Sequence, residues 1–541
     1  MRPFLTLHDP GRARDWYARG LWTRDTFYSL MAGHAASRPD EIAYRDGAHA
    51  LSWAQLAARV DALAADLLAR GLVPGDRVSV WMPNRIEPVV AFLACSRGGH
   101  TVNPSLHSTN TCAEVGELLR RLDAAILITE DGWGADRKAG RLEAELAKLP
   151  SLHTVYTPET FPSAPAAPPA RGPAIDPDSV AYLAFTSGTT GAPKCVMHSA
   201  NTLMANARDM ARDWKLGPAT RILTLSPLSH HIAWVAVSQW LICGGQLIVD
   251  APPAGMSRLD WIVETGATYV MGVPTHAMDI LAAQRAAGVK RIGDVETFYM
   301  AGAPIPPVVC EAFIGLGIKP QNIYGMTENS SHQYTHPDDA PDVWTHTCGR
   351  GGPAYEVTIV DAGDPDRPAP PGTVGQIAGR GAALMLGYFG NQEATQASFN
   401  RDGWFLSGDL GRLDADGNLH IDGRLKDLII RGGHNIYPSH IEALALRSDR
   451  VHKAAAFPVP DDRLGEKVCL AVIGSIGPAE ILAHLDAEGL SKYDMPEYFL
   501  NMEKFPLTAS GKILKRDLIE MHRRGEIDPI PIRYRSRKEA V

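Results

Sequence analysis

Nine residues, Thr186 to Lys194 (TSGTTGAPK), hold four hydroxyl side chains (Thr186, Ser187, Thr189, Thr190), two glycines (Gly188, Gly191) and one lysine. Glycine lets a backbone approach a ligand closely, hydroxyls donate hydrogen bonds, and a lysine ammonium offers a point charge to phosphate oxygens. The combination suits a phosphate. It is not a P-loop, which needs G-x-x-x-x-G-K followed by Ser or Thr. Here two residues separate the glycines, and Cys195 follows Lys194. Taken alone, the stretch also admits a polar loop between two strands.

Further short motifs carry chemistry-bearing residues: MAGAPIP (300–306), IYGMTE (323–328), GWFLSGDLG (403–411), DGRLKDLIIRGGHNIYPSHIE (422–442) and PLTASGKILKRDL (506–518). Two other stretches invite a metal. His332, His336, His346 and Cys348 in HQYTHPDDAPDVWTHTC could be set down as zinc ligands. An ordered loop near a binding pocket is the preferred reading. DADGN (414–418) hints at calcium but lacks the later bidentate glutamate, so a hairpin turn explains it better.

The elements that must position these residues alternate between two periods. WAQLAARVDALAADLLARGL repeats its apolar residues at three and four, as a helix does, and DRVSVWMP alternates like a strand. AAILIT, THAMDILAAQRAAG and TFYMAG continue the alternation, which argues for α/β layers. A proline- and alanine-rich connection (158–178) leads into the strand SVAYLAF. After about Ala354 short strands dominate: EVTIVD, VGQIAG, LGRLD and LHIDGR. No repeat of 20 to 50 residues is evident.

Composition limits the function classes. With 541 residues and 45% hydrophobic content the chain can bury large cores, and its size favours more than one domain. A net charge of −8 gives no electrostatic reason to expect nucleic acid. The seven cysteines include no C-x-x-C pair, which suits free thiols in a reducing compartment. The N-terminus has no apolar run behind its charges. The most apolar run, WVAVSQWLICGGQLIV, is interrupted by Ser238, Gln239 and Gly244-Gly245 and falls short of a spanning helix. A soluble cytoplasmic protein without stable membrane insertion is expected.

TSGTTGAPK closely resembles the phosphate-loop motif of the adenylate-forming superfamily of acyl- and aryl-CoA synthetases, luciferases and peptide-synthetase adenylation domains. The five other motifs follow in the family's order, and the resemblance covers about residues 30 to 520. It implies an α/β fold: a large N-terminal domain of layered α/β sheets with a β-rich subdomain (1–425), and a small mobile α+β C-terminal domain (426–541). It also implies a reaction. A carboxylate attacks the α-phosphate of ATP, pyrophosphate leaves, and the thiol of coenzyme A displaces AMP. By resemblance, Thr186, Ser187, Gly188, Thr189, Thr190, Gly191 and Lys194 would hold the β- and γ-phosphates. Gly302, Ala303 and Pro304 would edge the adenine, and Tyr324 would stack on it. Thr327 would bond the α-phosphate, and Glu328 would bind Mg²⁺, a hard cation that prefers oxygen ligands. Asp409 would grip the ribose hydroxyls, reinforced by Arg424. Lys426 would be the hinge, Lys512 the adenylation lysine, and Gly432 and Gly433 would lie beside the pantetheine tunnel.

LSPLSHHIAW resembles the family segment that gates acyl and pantetheine access, making His230 the gate with His231 and Trp234 close by. Met300, Ala301, Gly325, Met326 and Ser330 are expected near the acyl group. No acidic residue occurs between Thr220 and Trp240 to pair with an ammonium group, which disfavours an amino acid. About twenty residues follow KRDL, too few for a carrier domain. The expected function is an AMP-forming ligase that joins CoA to a short- or medium-chain aliphatic, alicyclic or aromatic carboxylic acid. PNRIEPVVAFLACSRGGHTVNPSLH is similar to cyclohexanecarboxylate and medium-chain acid ligases. An acid:carrier-protein ligase is the first alternative. A non-catalytic nucleotide-binding scaffold is the second, opposed by intact Lys194, Glu328, Asp409 and Lys512. A homodimer is left open.

Overall fold

The computed structural model describes residues 9–136, 141–163, 172–186, 193–507 and 513–534. Among these residues, two large sheets face each other across a shared core. One has seven strands and contains Val180–Thr186 beside Lys194–Ser199; the other has eight and contains Thr297–Met300, Lys319–Met326 and Ser330–Tyr334 in sequence at one end. The inner strands of the larger sheet run parallel, and antiparallel pairs close both its ends.

The helices Ala200–Asp213 and His231–Cys243 join the sheets: Met204, Trp234 and Trp240 share one buried cluster with Val78 and Tyr182 of one sheet and Ile222 and Tyr269 of the other. The second helix is apolar almost all round, as burial on every side requires. The first starts where Ser199 and Thr202 exchange hydrogen bonds with each other's backbone, a capping box. The apolar run that fell short of a membrane span is this buried helix followed by the strand Gln246–Val249. No helix among the described residues is long and apolar enough to cross a membrane.

A four-stranded antiparallel sheet follows (Tyr355–Val360, Gly375–Gly381, Phe405–Leu413, Leu419–Arg424), and DADGN is the hairpin between its last two strands. The 3-10 turn Leu425–Asp427 then leads into a separate six-stranded sheet with the helices Pro438–Ala445, Pro478–Ala487 and Lys515–Arg523. The architecture is therefore a large N-terminal α/β body with a β-rich part and a small α+β C-terminal one.

HQYTHPDDAPDVWTHTC is not the loop expected. It forms the end of strand Ser330–Tyr334, where Gln333 and Tyr334 pair with Tyr324 and Ile323 of the neighbouring strand, and the helix Pro341–His346. Its four metal-type side chains also go separate ways. His332 packs on Tyr355, His336 bonds the Gly351 carbonyl, His346 faces Asp342, and the Cys348 thiol donates to Asn322.

Candidate active site

The turn Thr327–Asn329 reverses strand Lys319–Met326 into strand Ser330–Tyr334. The Asn329 N–H donates to the Met326 carbonyl (3.2 Å), and Asn329 Oδ1 accepts the Met326 N–H (3.0 Å). Ser330 takes φ +55°, a left-handed value few non-glycine residues adopt. A Cβ on Gly325 would strike the Ser330 carbonyl oxygen. Gly325, expected near the acyl group, leaves no space there for a ligand: the Ser330 backbone fills it, and the close approach of the two strands is what needs glycine.

Hydrogen bonds from other segments fix this turn, Asn206 Nδ2 donating to the Asn329 carbonyl and Asn329 Nδ2 to the Tyr355 hydroxyl among them. The Thr327 carbonyl accepts from His198 Nε2 at 2.6 Å, and the Glu328 carbonyl accepts from the Met385 N–H at 2.7 Å. The Tyr388 hydroxyl donates to Glu328 Oε1 at 2.9 Å. Lys194 Nζ sits 4.6 Å from the centre of the Tyr388 ring, within cation–π range. Strand alternation puts Lys194, Val196 and His198 on one face of Lys194–Ser199, with Cys195 and Met197 opposite. Phosphate-type Lys194 and the Thr327–Glu328 turn thus meet across one phenol ring. Burial pushes the Glu328 carboxyl above its ordinary range, opposed by the Tyr388 bond and by Lys194. A carboxylate held this way gains from a nearby cation.

Nucleoside-type residues converge on the same strand end. The Tyr324 hydroxyl donates to Asp409 Oδ2 (2.9 Å), and Arg424 Nε lies 3.3 Å from Asp409 Oδ1, the two residues being cross-strand partners. Burial, then Asp409, pushes the Tyr324 phenol well up. Gly302 (φ +91°) follows strand Thr297–Met300, with Ala303 half-buried and Pro304 exposed, so this edge is open. Lys426 is exposed in the 3-10 turn, and desolvation, then Arg424, draws its ammonium down.

His230 opens the helix His231–Cys243 and stacks on His107 at 4.3 Å and 19°. His107 Nδ1 is 3.1 Å from Ser229 Oγ, and burial pushes its imidazole down to about 4. His231 Nε2 lies 3.2 Å from Ser330 Oγ, and its Nδ1 3.4 Å from the Tyr182 hydroxyl. Burial, then His198, lowers His231 to about 3, so it is a neutral hydrogen-bonding group at working pH. Met326 is half-buried and Ala301 buried beside this group's strands. Two residues expected at the acyl group are core instead. Trp234 has no exposed surface, packs on Phe92 at 4.5 Å and donates to the Leu228 carbonyl; Met300 is fully buried in a cluster with Leu223 and Val270.

Thr186 ends strand Val180–Thr186, and its hydroxyl donates to the Lys194 carbonyl (3.4 Å). Ser187, Gly188, Thr189, Thr190, Gly191 and Lys512 lie outside the described residues. Gly432 and Gly433 form the two-residue turn between Ile429–Arg431 and His434–Ile436, with φ +58° and +87°. A type I′ hairpin turn requires positive φ at both positions, so the turn itself demands these glycines. Sequence reasoning missed His107, His198 and Tyr388. A histidine or tyrosine in an apolar run gives no sign of which distant carbonyl or carboxylate it will meet.

The chain is similar to known proteins over most of its length. Residues 31–389 match the family model described as AMP-binding enzyme, and residues 440–512 the one for the AMP-binding enzyme C-terminal domain. The chain is 33% identical to a sulfoacetate–CoA ligase of Cupriavidus necator, over 92% of this chain and 97% of the relative. It is 29% identical to a medium-chain fatty-acid–CoA ligase of Escherichia coli, over 95% and 93%. The crystal structure of ATP-bound MatB from Rhodopseudomonas palustris superposes with a TM-score of 0.81 at 28% identity, covering 92% of this chain and 99% of that one. With the phosphate-type strand, the Thr327–Glu328 turn and the Tyr324–Asp409–Arg424 group assembled at one strand end, the chain belongs to the AMP-binding enzyme family.

Proposed function

We propose that the protein is an AMP-forming carboxylic acid:CoA ligase acting on a neutral-tailed short- or medium-chain aliphatic, alicyclic or aromatic acid. The carrying observation is the turn Thr327–Glu328, tied to the strand of Lys194 on one side and close to the Tyr324–Asp409 pair on the other. The substrate carboxylate is itself the nucleophile, so the protein's work is to position reactants and offset negative charge. Lys194 faces the leaving pyrophosphate, Thr327 the α-phosphate, and Asp409 with Arg424 the ribose. Glu328 fits Mg²⁺ in charge and donor type: it is a half-buried carboxylate that accepts a hydrogen bond from the neutral Tyr388 phenol. When bound, the cation supplies phosphate charge neutralisation. His230 gates the acyl and thiol path, with neutral His231 and Ser330 beside it. Lys426 is the hinge between domains 1–425 and 426–541, and rotation there exchanges Lys512 for the Gly432–Gly433 face.

A panel of acids assayed for CoA-dependent AMP formation tests this reading. Turnover is expected with at least one neutral-tailed C4 to C10 or cyclic acid and little with free amino acids; the reverse ranking sinks it. A parallel arm replaces CoA with a phosphopantetheinylated carrier protein. Preference for the carrier moves the assignment to an acid:carrier-protein ligase.

A further inference from the structure

We propose that His198 is a positioning residue that sets the α-phosphate contact of Thr327 by holding its backbone to the strand that carries Lys194. The proposal rests on the reading above that Thr327 meets the α-phosphate. His198 is fully buried and lies four residues beyond Lys194 on the same strand face. Its Nε2 is 2.6 Å from the Thr327 carbonyl oxygen, and its Nδ1 is 3.0 Å from Thr202 Oγ1.

The partners dictate the proton. A carbonyl can only accept, so Nε2 carries the hydrogen. The Thr202 hydroxyl already accepts the Ser199 N–H at 2.9 Å, and of the two acceptors its own proton can reach, Nδ1 at 3.0 Å is nearer than the Ser199 carbonyl at 3.3 Å. One ring proton, on Nε2, therefore satisfies both bonds. Thr202 owes its place to the capping box that starts the helix Ala200–Asp213, so the helix start fixes the tautomer that grips the turn. Lys194 and His198 then set both ends of the bond to be broken, the leaving phosphates and the α-phosphate, from a single strand. The Tyr388–Glu328 bond and the Met385–Glu328 bond hold the neighbouring residue but leave the Thr327 peptide to His198.

The test compares affinities for AMP and adenosine by calorimetry, because their ratio isolates the phosphate contact while adenosine controls for general damage to the site. His198→Leu removes the donor and leaves a buried carbonyl unsatisfied, and is expected to lower the AMP-to-adenosine ratio about tenfold. His198→Gln keeps an N–H donor and should stay within about threefold of wild type. Thr202→Val removes the hydroxyl that fixes the tautomer; a fall of about threefold is expected, and this variant carries the test if the leucine variant does not fold. Met197→Ala, on the opposite strand face, should leave the ratio unchanged whatever it does to the melting temperature. An unchanged ratio in His198→Leu and Thr202→Val, with a fall in Thr327→Ala, overturns the role of His198 and leaves the family reading standing. An unchanged ratio in Thr327→Ala overturns the placement of Thr327 itself, and the proposal with it.

Discussion

The two sides of the AMP site are built on opposite plans. On the N-terminal side, Thr327 and Glu328 are held by hydrogen bonds from His198, Met385 and Tyr388, and the nearby Tyr324 and Arg424 both engage Asp409. On the C-terminal side, the chain passes through the three-residue turn Leu425–Asp427 to a hairpin whose glycine tip is exposed. Across the junction Ser439 Oγ donates to the Asp422 carbonyl, and the helix Pro438–Ala445 lies against the strand Leu419–Arg424. A site that must hold one phosphate through two reactions calls for many tethers, and a domain that must present two faces calls for few. That difference is what the proposed two-step reaction would call for.

The largest effect should come from removing the charge that the C-terminal domain is proposed to deliver. Lys512→Ala is expected to slow acyl-adenylate formation by on the order of 10²–10³, the cost of losing a donor aimed at developing charge. Single-turnover conversion of synthetic acyl-adenylate plus CoA should be nearly spared. Equal damage to both half-reactions would mean that the C-terminal domain does not alternate.

Next in size, Lys426→Pro and Gly433→Leu should slow the second half-reaction about tenfold and leave the first nearly intact, through a fixed φ at the hinge and a side chain beside the thiol path respectively. Gly433→Leu also forces a left-handed φ on leucine, so its melting temperature should fall while that of Lys426→Pro changes less. If both variants lose adenylation first, the tethered and mobile sides have been assigned the wrong way round.

The smallest effect concerns pH and the rigid side alone. Burial lowers His332 to about 3, and its ring lies against Tyr355 at 4.2 Å and Tyr324 at 5.4 Å. The unfolded chain binds a proton there near pH 6.5 while the folded one does not. The stability His332 contributes is therefore full above that pH and is lost as pH falls from about 6.5 toward 3. His332→Phe should flatten the fall in melting temperature between pH 7 and pH 4; a curve as steep as that of wild type would place the acid sensitivity in His107, His231 and His276, which burial also lowers.

The sequence alone determined the family, because six motifs in order each carry their chemistry within a few residues. It also determined the α/β alternation, because apolar period is a local property. The helix WAQLAARVDALAADLLA and the strand RVSVW are read straight from their patterns. What it could not reach were contacts between segments far apart in the chain. His198 and Thr327 are 129 residues apart and Tyr388 and Glu328 are 60 apart, and nothing in either local pattern selects the partner. The resemblance put Trp234 beside the gate, and Met300 was expected near the acyl group; an apolar side chain suits a core as well, and only the packing of helix on sheet buried both. Gly325 was misjudged for a related reason. A missing Cβ marks a close approach but does not say by what, and the tertiary structure alone brought the Ser330 backbone into that space.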